Sequence, residues 1–115
     1  MRVLLLIALG LLSACQSLPP IPAWQGPQGR DDPQLGQIVE SGTGARLTPA
    51  ELVERLGGVE RVLVGEQHDN PDHHALELWL LQALASRRAQ GSVLLEMLEP
   101  AQQANVNAVR QQVAE

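Results

Sequence analysis

The chain has 115 residues, room for one small domain, with 44% hydrophobic residues and a formal charge of −5. Its eight basic residues are all Arg and are not clustered, which speaks against a nucleic-acid-binding protein. With two Trp, no Phe and no Tyr, any core must be built from Leu, Val, Ile and Ala.

The first element is a leader. Met1-Arg2 gives a positive start, and residues 3–12 form an apolar run too short to span a bilayer. Leu12-Ser13-Ala14-Cys15 follows and resembles the lipobox of bacterial lipoproteins. That resemblance implies a signal peptide over residues 1–14, cleavage before Cys15, and acylation of the Cys15 sulfur and the new amine, palmitate included. Several acyl chains anchor stably where one would be marginal. Cys15 is the single cysteine, so no disulfide can form within the chain. Gln16 stands where inner-membrane sorting, by resemblance to enterobacterial lipoproteins, would use Asp. The expectation is therefore an outer-membrane protein, lipid-anchored on the periplasmic or surface side.

Residues 15–35 are rich in Pro and Gly, with Pro19, Pro20, Pro22, Pro27 and Pro33 among them. Such a composition sustains neither a helix nor a central strand, and it reads as a tether. The domain proper starts at residue 36. Residues 37–40 read as a short strand and residues 41–44 as a turn. Thr48-Pro49-Ala50-Glu51 is a helix start: Thr48 caps, Pro49 suits the first position, and Glu51 completes a capping box. Leu52, Val53 and Leu56 give this helix an apolar face, and Gly57-Gly58 end it.

Residues 61–64 then read as a strand apolar on both faces, as a covered parallel sheet requires. Asn70-Pro71 opens a second helix, with Leu76, Trp79, Leu80, Ala83 and Leu84 as its buried stripe and Arg87, Arg88 and Gly91 at its end. Residues 93–95 read as a second buried strand. Pro100 opens a third helix with Ala101, Ala104, Ala108 and Val109 on one side. This helix runs to Glu115 without a cap, so the chain reads as the N-terminal part of a longer protein. The fold class expected is α/β, a parallel βαβ core belonging to an incomplete three-layer domain.

In open α/β sheets, ligands bind beyond the carboxyl ends of the strands. Glu66 and His68 follow the first predicted strand, and Glu96 follows the second. If the strands are neighbours, these three side chains converge on one edge. All three histidines of the chain fall between positions 68 and 74, a clustering that an apolar core does not need. Glu66 suits a general base, a ligand or an orienter of His68, and His68 suits a metal or haem ligand or an acid/base group. His73 and His74 are adjacent on a helix and point about 100° apart, so at most one faces the site. Asp72 reads as a helix-dipole partner, Asp69 is open between that role and the site, and Met97 reads as core.

The stretch Val62-Leu63-Val64-Gly65-Glu66-Gln67-His68-Asp69-Asn70-Pro71-Asp72-His73-His74, with Val93-Leu94-Leu95-Glu96-Met97 after a Leu-rich helix, resembles the ChaN family. These are iron-regulated, haem-binding bacterial lipoproteins of a superfamily that includes the Tiki/TraB proteins and the erythromycin esterases. The resemblance covers residues 36–115, which would be the N-terminal part of a ChaN-like α/β domain about twice as long. It implies haem as cofactor and cargo, a homodimer, a haem-uptake receptor as partner, and a role in haem and iron uptake. It also favours His74 as the helix histidine that joins Glu66, His68 and Glu96 in binding ligand. Haem ligation in the family is thought to involve Tyr, which this chain lacks. A second reading is a metal-dependent periplasmic hydrolase, an esterase or peptidase, in which Glu66, His68 and Glu96 act on water. Against that, no full metal-ligand set is visible and no Ser or Cys nucleophile stands beside His68.

Overall fold

The computed structural model describes residues 17–113. The expected signal peptide and Cys15 lie outside the described residues. A hairpin opens the domain: β1 (Ile38–Val39) pairs antiparallel with β2 (Arg46–Leu47), with Ile38 opposite Leu47 and Val39 opposite Arg46. The return strand β2 was not anticipated, because Arg46-Leu47 is too short to show an alternating pattern. Glu40 ties the hairpin together by accepting from the Thr43 hydroxyl, and it also accepts from the Arg55 guanidinium on the helix that follows.

That helix, α1 (Pro49–Gly57), starts as its sequence dictates. Thr48 Oγ1 accepts from the Glu51 amide at 3.2 Å, and the Glu51 carboxylate accepts from the Thr48 amide at 2.7 Å. Helix α2 (Pro71–Ala85) is capped by Asn70, whose Oδ1 accepts from the amides of Asp72 (2.9 Å) and His73 (3.4 Å). It ends before Arg87 and Arg88 rather than after them. The Ser86 hydroxyl donates back to the Ala83 carbonyl at 2.8 Å, an alternative to continuing the helical ladder.

Helices α1 and α2 pack on each other. Val53 from α1 and Trp79, Ala83 and Leu84 from α2 are buried, with Leu18, Leu56, Val62 and Leu80 around them. The apolar stripe expected of α2 is thus the face that makes the core.

The Pro-rich stretch lies along α2. Leu18 packs against the core cluster, and the Trp79 indole N–H donates to the Pro19 carbonyl at 2.8 Å. Further along, the Asp72 carboxylate accepts from the amides of Gln25 (2.6 Å) and Gly26 (2.8 Å). Arg30 then closes the segment on itself by donating to the carbonyls of Trp24 and Gly26, each at 2.6 Å. Two glycines permit this approach. A Cβ at Gly26 would stand 2.8 Å from Asp72 Oδ2. One at Gly36, whose φ is +78°, would stand 2.9 Å from Trp24 Cζ2.

The class is mixed α and β, but a parallel βαβ core is not formed among the described residues. Residues 61–64 and 93–95 lie outside helix and sheet, and Leu63 and Leu94 are each 92% exposed. A parallel strand needs a backbone neighbour beside it and cover on both faces. Here α1 and α2 spend their apolar faces on each other, and only Val62 of the first segment reaches the core. Met97, expected in the core, is exposed for the same reason. A 3₁₀ turn at Pro100–Gln102 leads into α3 (Gln103–Val113). Only Val106 of α3 is even half-buried, so its apolar side faces no partner among the described residues. None of the described helices is long and apolar enough to cross a membrane.

Candidate functional site

The site forms where residues 65–70 turn into α2. The Asn70 amide donates to the Gln67 carbonyl at 2.9 Å, which folds the loop onto the helix start. His73, in the first turn of α2, fixes the loop from the other side: its Nδ1 accepts from the Gln67 amide at 2.9 Å. Asn70 and His73 therefore serve the backbone, and the side chains left to face one another are Glu66, His68 and His74.

Glu66 is the centre of the group. Its side chain is 8% exposed, against 55% for His68 and 48% for His74. Glu66 Oε1 is hydrogen-bonded to His68 Nδ1. His74 Nε2 stands 3.3 Å from Glu66 Oε2. That contact is close enough for an ion pair but is not aligned as a hydrogen bond, so buried Oε2 has no hydrogen-bond partner. Glu96 reaches the group from the far segment: its Oε2 is 4.0 Å from His68 Nε2, and its side chain is 89% exposed. The pairing with His68 holds the Glu66 carboxyl below the usual carboxylate range, helped by the charges of both imidazoles. The same pairing raises His68, with the more distant charges of Glu96 and Asp69 adding to it.

Glu66 is hydrogen-bonded to His68 and Glu96 comes within 4.0 Å of His68, but the neighbouring parallel strands expected to bring them together are not formed among the described residues. The loop closure around Asn70 and His73 brings Glu66 and His68 to His74, and Glu96 approaches His68 from its own segment. Of the two helix histidines, His74 faces Glu66 and His73 faces the loop backbone. Asp69 lies at the turn and contributes its charge. Asp72 points away, to the Pro-rich segment, where the Gln25 and Gly26 amides hold its carboxyl below the ordinary value.

Beside the cluster is an open recess of about 300 Å³, lined by Leu52, Val64, Gly65, Glu66, His73, Leu76, Glu77, Trp79 and Leu80. Its wall is apolar, with Glu66 and His73 at one edge. The contribution of Trp79 was missed at the sequence level, because its spacing marked it only as core. A buried indole needs a partner for its N–H, and that was the available signal for a docked segment. Among the described residues, no group of three or more His, Cys, Asp or Glu side chains has the geometry of a metal centre.

The arrangement offers a carboxylate that orients an imidazole, a ring nitrogen left facing outward on His68, and apolar wall beside both. Carboxylate-oriented imidazoles of this kind serve as ligands to iron and zinc or as acid/base groups. Neither the curated proteins nor the solved structures contain a match to the chain. A family model does match: residues 52–115 fit the family described as "Haem-binding uptake, Tiki superfamily, ChaN". The chain belongs to this family.

Proposed function

We propose that this ChaN-family chain binds haem at the cluster of Glu66, His68, His74 and Glu96, and that it does so as a lipid-anchored outer-membrane protein of bacterial haem and iron uptake. One observation carries the site: a largely covered carboxylate, one oxygen hydrogen-bonded to His68 and the other 3.3 Å from His74, is set between two imidazoles at the edge of an apolar recess. The residues suit the group. Haem presents a wide apolar face and an iron that takes imidazole nitrogen, and the recess supplies the wall while the cluster supplies the donors.

His68 is the better placed of the two donors. Its Nδ1 is committed to Glu66, which turns Nε2 outward, whereas the Nε2 of His74 already faces Glu66. Glu66 orients the ring and raises its basicity, and Glu96 stands next to the outward nitrogen. Bound there, haem supplies an iron centre held for transfer. On the same reading, residues 61–64 and 93–95 form neighbouring strands of a parallel sheet in the assembled domain, which two copies and an uptake receptor then engage.

Haemin titration into the non-acylated chain tests the proposal. A saturable Soret shift is expected, weakened strongly in His68→Ala and less in His74→Ala. A linear, unsaturable response would overturn it.

A further inference from the structure

The Pro-rich segment is read from composition as a tether, and its contacts lay it along α2 as a strap. Leu18 is already part of the core surround, and Pro19 is hydrogen-bonded to buried Trp79. The strap runs antiparallel to α2, from Trp79 to Asp72, where the amides of Gln25 and Gly26 close it. That span is seven residues of helix, about 10 Å at 1.5 Å per residue. The end it runs towards carries Glu66, Asp69 and His74; the end it comes from leads to Arg87 and Arg88, just past Ala85.

We propose that this strap seats the domain directly on an anionic lipid surface, with the Arg87–Arg88 end of α2 towards the bilayer and the Glu66–His68 cluster at the far end. The inference rests on the anchoring of Cys15 in the preceding reading. Only Gln16 and Ser17 separate Cys15 from Leu18, so the chain can hold the two no more than about 11 Å apart. Adding the length of the strap puts the cluster within about 25 Å of the anchor. An undocked Pro-rich tether over residues 15–35 could instead carry it about 65 Å away, at 3.1 Å per residue. Charge agrees with the orientation. Arg87 is exposed and, beside a membrane anchor, is drawn to anionic headgroups, whereas Arg88 is half-buried and donates to the Val59 carbonyl; the carboxylates at the opposite end are repelled by the headgroups. Glu54, which shares a polar hollow with Arg87, offsets part of that attraction. The consequence for the site is that ligand is taken up and released close to the membrane, not at the end of a mobile leash.

The test uses the acylated full chain in vesicles of phosphatidylethanolamine and phosphatidylglycerol. A donor dye is placed at Asp69→Cys and an acceptor on lipid headgroups. Ten Gly/Ser residues are inserted either between Ser17 and Leu18 or between Asp31 and Asp32. The first insertion lies before the docked strap and should lower energy transfer about twofold or more by lengthening the reach to the anchor. The second lies after it and should leave transfer unchanged, because the docked strap still sets the distance. Equal losses from the two insertions, or no loss from either, would overturn the strap. Intact mass of the purified protein reads the anchor separately: an unmodified Cys15 overturns the anchoring itself, whatever the insertions do.

Discussion

Replacing Trp79 by Phe isolates the bond between the strap and the core. The indole is 4% exposed and donates to Pro19 O at 2.8 Å. Phe keeps an aromatic ring against Val53, Ala83 and Leu84 but removes the N–H and the second ring. Losing the hydrogen bond costs about 1 kcal/mol, since the Pro19 carbonyl is half-buried and can partly turn to water. The void left by the smaller ring costs about 1 kcal/mol more, at ~24 cal/mol per Å³. The sum is about 2 kcal/mol, which for a small domain lowers the urea midpoint by about 1–2 M. Urea unfolding of the non-acylated chain, followed by helical circular dichroism, reads that shift. Leu18→Ala supplies the second arm of a double-mutant cycle. If the strap docks as one unit, the two changes together cost less than their sum, with a coupling of about 0.5 kcal/mol or more. A Trp79→Phe shift below about 0.5 kcal/mol together with additivity in the cycle would refute the docked strap.

Asn70→Ala removes the cap of α2 and should cost about 1 kcal/mol in thermal or urea unfolding. Because the Asn70 side chain also holds the amide of His73, whose ring accepts from the Gln67 amide of the loop that carries Glu66 and His68, the same variant should weaken haemin binding, whereas Thr48→Ala, with a similar cap cost on α1, should leave it unchanged. His73→Ala frees the Gln67 amide and is expected to broaden the loop's amide resonances and weaken haemin binding without altering the spectrum of the bound species. His74→Gln should leave that loop in place. The pH dependence has two arms of opposite sign. His68 is raised above its ordinary 6.5, so its pairing stabilises the fold fully below that value and fades as pH climbs through the raised folded value. Glu66 and Asp72 are lowered from 4.5 and 3.8, so their contributions are full above those values and vanish as pH falls through the lowered ones. Unfolding midpoints should therefore decline on both sides of a maximum in the mildly acidic range, and Glu66→Gln should flatten the alkaline side. An unchanged alkaline limb in that variant would break the link to His68.

The helices were legible because their signals are local. Thr48-Pro49-Ala50-Glu51 and Asn70-Pro71 contain the cap and the first-position proline within a few residues, and the structure places α1 and α2 where those residues start them. The stripe of α2 was legible because a helix has one period, and Trp79, Ala83 and Leu84 satisfy it. The proximity of Glu66 to His68 followed from adjacency, and belonging to a haem-binding family followed from the same short motif.

Tertiary structure decided everything that joins distant residues. Sequence could not say whether residues 61–64 and 93–95 find each other, because an apolar run specifies burial without naming its partner, and among the described residues they stay unpaired. Nor could it divide His73 from His74. Both belong to one turn, and the choice depends on where the loop amide of Gln67 ends up. The strap was least legible of all. Pro and Gly exclude helix and sheet, which looks like freedom, but the carbonyl of Pro19 and the amides of Gln25 and Gly26 still need partners, and Trp79 and Asp72 supply them from 46 to 60 positions away. Local chemistry fixed the helix ends and the motif; hydrogen-bond satisfaction across the chain decided what those elements hold.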